Sequence, residues 1–141
     1  MAIENLGLEV RILSNLIYNR LNQMTVETEN LTVHQCWILQ HLTENAGKEI
    51  YQKDIEQLFS IRRSTANQML RTMESRGYIR RIVSEEDARR NVLTVTQEGI
   101  TACGHLVENM YQFMKKLHGE IPKAELEQFQ GTLRKLWHNI E

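Results

Sequence analysis

Proline is almost missing: Pro122 is the single one in 141 residues, and glycine occurs seven times. A β-sandwich or barrel needs turn signals every ~8–12 residues, so this shortage of breakers excludes those folds and leaves helices to dominate. Cysteine is scarce as well. Cys36 and Cys103 are too few for a disulfide framework and have no metal-ligand spacing between them, which makes a reducing, cytoplasmic setting the expectation. No apolar run approaches the ~18 residues of a membrane span, and the start, Met1 to Leu8, carries Glu4 and no basic leader. Membrane association is not expected. Aromatic residues make up only 6%, and the net charge is −1. The chain as a whole therefore gives no electrostatic pointer to a polyanion; such a pointer must come from how charge is distributed.

What is present is an ordinary globular composition, with 41% hydrophobic and 25% charged residues. Apolar residues recur in steps of three and four at Ile3, Leu6, Val10, Leu13 and Ile17, then at Ile100, Cys103, Val107, Met110, Met114 and Leu117, and again at Leu126, Phe129, Leu133, Leu136 and Ile140. These stripes predict three long terminal helices. Leu16 and Leu21 flank the first stripe and Leu106, Tyr111 and Phe113 the second, more apolar face than one neighbour covers, so a partner chain is the expected cover. The fold class expected is mainly α with a small β-hairpin wing. Residues 1–30 and 97–141 form a helical dimerisation region, and 31–96 a winged helix-turn-helix, together one composite domain.

Inside 31–96, Thr32 is placed to cap a helix with Gln35 reaching back and Leu31 stapling onto Cys36. Asn45-Ala46-Gly47 stops that helix. A short helix over Gln52 to Phe59 follows, with Ile55, Leu58 and Phe59 on its apolar side, and Ser60-Ile61 makes the turn. The next helix runs from about Arg62 to Arg76, burying Ala66, Met69, Leu70 and Met73, and Gly77 ends it. Ile79 to Val83 and Val92 to Thr96 read as a hairpin with a charged tip, and Thr96 caps the last region.

Short helix, turn, second helix and basic hairpin is the order in which the second helix enters a DNA major groove. Charge agrees with it. From Ile61 to Thr96 eight arginines face four acids, a net +4, which leaves −5 for the rest of a chain whose total is −1. Opposite its apolar side the second helix presents Ser64, Asn67, Gln68 and Arg71, with Thr65 beside them. Gln68 and Asn67 carry the donor–acceptor pair that matches adenine, Arg71 or Arg63 suits guanine, and Ser64 or Thr65 suits phosphate near the helix start. At the hairpin tip, Arg89 is the arginine for a minor groove, held by Asp87, with Arg90 beside it.

These segments resemble the multiple antibiotic resistance regulator (MarR) family, from Leu31 to Gly99. Leu31-Thr32-Val33-His34-Gln35-Cys36-Trp37-Ile38-Leu39 is similar to the family's opening helix. Leu70 to Arg81 is similar to its recognition-helix end and first wing strand, and Glu86-Asp87-Ala88-Arg89 with Val95-Thr96-Gln97-Glu98-Gly99 to its wing signature. The resemblance implies a homodimer on double-stranded DNA, with recognition helices in successive major grooves of a near-palindrome and Arg89 of each wing in the minor groove. It also implies repression relieved by a small-molecule effector, whose identity the residues do not specify. The sequence departs from the family at Arg62 and Arg63, where acidic or small residues are common, at Tyr51, where Ser or Thr usually starts the short helix, and at Ala88, where arginine is frequent.

Other readings stay open beside this one. A winged-helix protein-interaction module without DNA binding would show an apolar exposed face around Ser64, Gln68, Arg71 and Arg89. A thiol-responsive regulator would use Cys36 or Cys103, yet one sits at a staple position and the other on an apolar seam. A metal-responsive one needs converging ligands, and His34, Cys36 and His41 do not all face one way, while His105, His118 and His138 are dispersed. No nucleophile with its base, carboxylate pair or phosphate loop stands at a usable spacing, so no enzyme and no cofactor is expected.

Overall fold

The computed structural model describes residues 5–141; Ile3, the first residue of the expected stripe, lies outside them. The elements are α1 (Leu6–Glu29), α2 (Val33–Glu44), β1 (Ile50–Tyr51), α3 (Gln52–Leu58), α4 (Arg63–Ser75), β2 (Ile79–Val83), β3 (Asn91–Val95), α5 (Gln97–His118) and α6 (Lys123–His138). The chain divides into one compact unit ending at Asn109 and a second spanning Met110–Glu141.

In the first unit, the start of α2 follows from its capping box. Thr32 Oγ1 accepts from Gln35 N at 3.2 Å, and Gln35 Oε1 accepts from Thr32 N at 3.0 Å, so two otherwise orphaned donors are satisfied reciprocally. Asn22 on α1 adds to this, its Oδ1 accepting from Val33 N at 3.1 Å. Leu31, Val33, Ile38, Leu39, Ile55, Ala66, Leu70 and Met73 are wholly buried, and α2 packs on α4 and β3 while α3 packs on α4. One core therefore fixes α4 against everything around it.

The sheet is larger than a hairpin. Its order is β1-β3-β2, antiparallel throughout, with Ile50 opposite Leu93 and Tyr51 opposite Val92. A two-residue strand carries too little alternation to be read as one, which is why β1 went unpredicted. In the wing proper, Val83 pairs with Asn91 and Ile79 with Val95, so β3 begins one residue earlier than expected and Thr96 leaves the ladder to serve as a cap. Gly99 N donates to Thr96 Oγ1 at 3.1 Å.

Three packing expectations change. Leu58 is exposed and Met69 only half-buried, whereas Leu106, expected to flank its stripe, is 1% exposed. The seven-residue α3 makes two turns, and of its apolar residues Ile55 alone is buried, beside the polar Gln52. On α1 the surplus apolar face is plain, with Leu6, Leu8, Val10, Ile12, Leu13 and Leu16 all at least 40% exposed. In the second unit, α6 buries none of its residues fully, and Phe129, Leu136 and Trp137 stay exposed. No described helix is long and apolar enough to cross a membrane.

Candidate nucleic-acid interface

The N-terminus of α4 departs from ordinary helix chemistry. Its N-cap is Arg62, whose side chain caps nothing, and its first turn holds no acid. Two cations, Arg62 and Arg63, thus stand at the positive end of the helix dipole, an unfavourable placement on an isolated helix. An external anion reverses the sign of that interaction. Ser64, Thr65, Gln68 and Arg71 are exposed along the same helix, while Asn67 is half-buried. The opposite side is the buried Ala66, Leu70 and Met73, so the core decides which residues α4 turns outward. That outward surface is polar.

The eight arginines of the segment divide into two kinds. Arg76 Nη1 donates to Asn30 O, closing the end of α4 onto the left-handed cap of α1. Arg81 has only 15% of its side chain exposed and pairs with Glu74 at 3.3 Å. Arg89 is the opposite case, with 92% of its side chain exposed. Asp87 nonetheless fixes it: Oδ1 accepts from Arg89 N at 3.0 Å and from Arg89 Nε at 3.2 Å. These bonds hold the Asp87 carboxyl below its usual range, the backbone bond being the larger cause, so it stays ionised at neutral pH.

Arg90 lies 3.8 Å from the other Asp87 oxygen and 5.0 Å from the centre of the Tyr51 ring. Tyr51 OH donates to Glu49 Oε2 at 2.6 Å, which turns the ring into part of the wing's support. Its backbone N–H is satisfied by Asp54 Oδ2 at 2.8 Å, so the third helical position supplies the half of a capping box that does not depend on a Ser or Thr at the cap. Neither the Arg90–Tyr51 contact, 39 residues apart, nor the Arg81–Asn67 bond, 14 apart, is legible from spacing along the chain.

A cleft of about 270 Å³ opens where α1 ends and α5 begins, with Glu29, Tyr78, Thr101 and His105 among its walls. Glu29 Oε1 lies 2.7 Å from His105 Nδ1, and Tyr78 OH donates to Glu29 Oε2 at 3.4 Å. Two other histidines take structural neighbours: His34 stands between Tyr18 and Trp37, and His41 beside Asn45.

Both cysteines are buried, Cys36 at 2% and Cys103 at 6% exposure. Burial pushes the Cys36 thiol up to about 12, against a weaker opposing hydrogen bond with Thr25, and raises Cys103 in the same direction. Since the thiolate is the reactive form, Cys36 in folded protein should resist a maleimide at pH 7.5 for hours, while guanidinium-unfolded chain labels within minutes. Rapid native labelling of Cys36, read by peptide mass, would contradict this burial. The same shift stabilises the fold below pH 9 and is lost as pH rises through the folded value.

Comparison with known proteins places this geometry. A family model described as MarR family matches residues 29–90. YwaE, an uncharacterized HTH-type transcriptional regulator of Bacillus subtilis (strain 168), is 26% identical over 147 residues, spanning 99% of this chain and 85% of that one. The crystal structure of the transcription regulator MarR from Oenococcus oeni PSU-1 is 28% identical, with TM-score 0.77 over 94% of this chain and 98% of that one. The S. aureus MepR–DNA complex shares the fold at TM-score 0.86 and 22% identity, covering 100% of this chain and 99% of that one.

Proposed function

The chain belongs to the MarR family of transcription regulators, and on that premise we propose that it binds a near-palindromic operator as a homodimer and represses until a small effector releases it. The observation that carries the DNA reading is the polar outward face of α4 beside a wing whose tip arginine is exposed yet held by Asp87. Ser64, Thr65, Gln68 and Arg71, with Arg62 and Arg63 at the uncapped end, take the major groove and its phosphates, and Arg89, Arg90 and Asp87 serve the minor groove. A protein-interaction module would need an apolar patch where these side chains stand.

The dimer rests on the exposed leucines and valine of α1 and on the apolar residues that α5 and α6 leave uncovered. Residues 1–30 and 97–141 are assigned to that interface and 31–96 to DNA. Half-sites ~34 Å apart then follow from one turn of duplex between symmetric recognition helices.

Selection of bound duplexes from random DNA tests this reading. The expected product is an inverted repeat, bound by two chains, with affinity falling steeply as salt rises through counterion release. Failure to enrich any repeat would end the proposal. Against the selected duplex, Gln68→Ala should flatten preference at one base position per half-site by ~1–3 kcal/mol and leave the other positions intact.

A further inference from the structure

Arg81 on β2 is the hub of a half-buried polar cluster. Its Nη1 donates to Asn67 Oδ1 at 2.6 Å and to Gln52 Oε1 at 3.4 Å, its Nε and Nη2 donate to Glu74 Oε1 at 3.4 and 3.3 Å, and its own backbone N donates to Glu74 Oε2 at 3.2 Å. Gln52, at the start of α3, is 7% exposed. Asn67 and Glu74 lie seven residues apart, two turns along one face of α4. One guanidinium therefore ties the short helix, the second and last turns of α4 and the first wing strand together. Lysine, a point charge on a flexible stem, has no fork with which to reach three acceptors at fixed angles.

The bond to Asn67 has a chemical consequence. Arginine has donors and no acceptor, so the atom that Asn67 turns towards it must be the carbonyl oxygen. That bond fixes the orientation of the amide and takes one of the two lone pairs of Oδ1, so the NH₂ is the group it chiefly leaves for a ligand, a donor. Asparagine reads adenine by offering a donor and an acceptor together, whereas guanine shows two acceptors, N7 and O6, in the major groove. The bond to Arg81 thus tilts Asn67 away from the adenine match expected of its residue type, which needs donor and acceptor together.

We propose that Arg81 is a positioning residue that sets base preference through Asn67: with one lone pair of Oδ1 taken and its amide held in place by Arg81, Asn67 offers its NH₂ first and favours an acceptor edge, guanine foremost, at one position of each half-site. The inference rests on the DNA-binding reading above. It assigns Arg81 to the interior of the interface and to no phosphate.

The test is selection from random duplex DNA with wild-type protein, Arg81→Lys and Asn67→Asp, followed by anisotropy titrations on the wild-type-selected duplex. Arg81→Lys frees the Asn67 amide to turn; it should replace guanine by adenine at one position and weaken binding to the wild-type duplex about tenfold, whereas loss of a phosphate contact would weaken binding evenly across sequences and leave base preference unchanged. Asn67→Asp keeps an acceptor for Arg81 and so keeps the fold, but its carboxylate offers no donor; guanine should give way to cytosine, whose N4 amine donates. A thermal melt confirms that each variant is folded, and Asn67→Asp decides the matter if Arg81→Lys is not. Unchanged base preference in Asn67→Asp, or wild-type affinity in folded Arg81→Lys, overturns the assignment while leaving the regulator reading standing. Wild-type protein that enriches no duplex overturns both.

Discussion

Arg89→Ala should weaken binding to the selected operator by roughly 10–100-fold at fixed salt, the largest effect of any single surface substitution. The dimer loses two arginines at once. A free arginine at a loop tip gives up considerable side-chain entropy when it enters a groove, but this one is already held at its backbone N–H and at Nε by Asp87. On the proposed reading the unused guanidinium edge enters the minor groove, where narrow A·T tracts concentrate negative potential. The slope of log affinity against log salt should also fall by about 2 in magnitude, one cation per wing. Asp87→Asn should have a smaller effect of the same sign, since the arginine remains while its anchor weakens. An Arg89→Ala protein that binds like wild type with unchanged salt slope would remove the wing from the interface.

Gly99→Ala should cost about 3 kcal/mol of stability, lowering the melting temperature by on the order of 10 °C at fixed protein concentration. A Cβ there would lie 2.2 Å from Tyr78 O and 2.7 Å from Val95 Cγ2. Neither atom moves easily. Tyr78 O is held by Thr96 N at 3.0 Å, Val95 ends the wing's inner strand, and Gly99 N is itself tied to Thr96 Oγ1. The start of α5 is therefore pressed against the base of the wing with room for a hydrogen atom only, and DNA affinity should fall along with stability because the wing's seat shifts. Gly104→Ala is the control: on the same helix with open space around it, it should be neutral or slightly stabilising. Equal melting temperatures for the two variants would show that the contact at Gly99 relaxes freely.

Much of this architecture follows from local chemistry. The Thr32–Gln35 capping box, the end of α2 at Asn45, the buried side of α4 and the cap at Thr96 each depend on residues within four positions of one another, and such spacings are readable along a chain. The same holds for the Asp87–Arg89 contact, two residues apart. The outward polar face of α4 follows as well, since once Ala66, Leu70 and Met73 are inside, Ser64, Gln68 and Arg71 have no other direction to take.

Only the tertiary structure decided which arginines face outward and which hold the fold together. Arg81 and Arg89 look alike as residues, but the strand pairing of β2 with β3 carries one inward onto Glu74 and Asn67 and leaves the other at the tip. β1 exists because β3 offers it an edge, and Tyr51 reaches Arg90 only through that pairing. The demand for a glycine at position 99 likewise comes from a carbonyl 21 residues earlier in the chain, Tyr78 O. The reason is common to all of these: periodicity and capping report on neighbours along the chain, whereas the partner of a buried charge is set by how strands and helices pack once the core has closed.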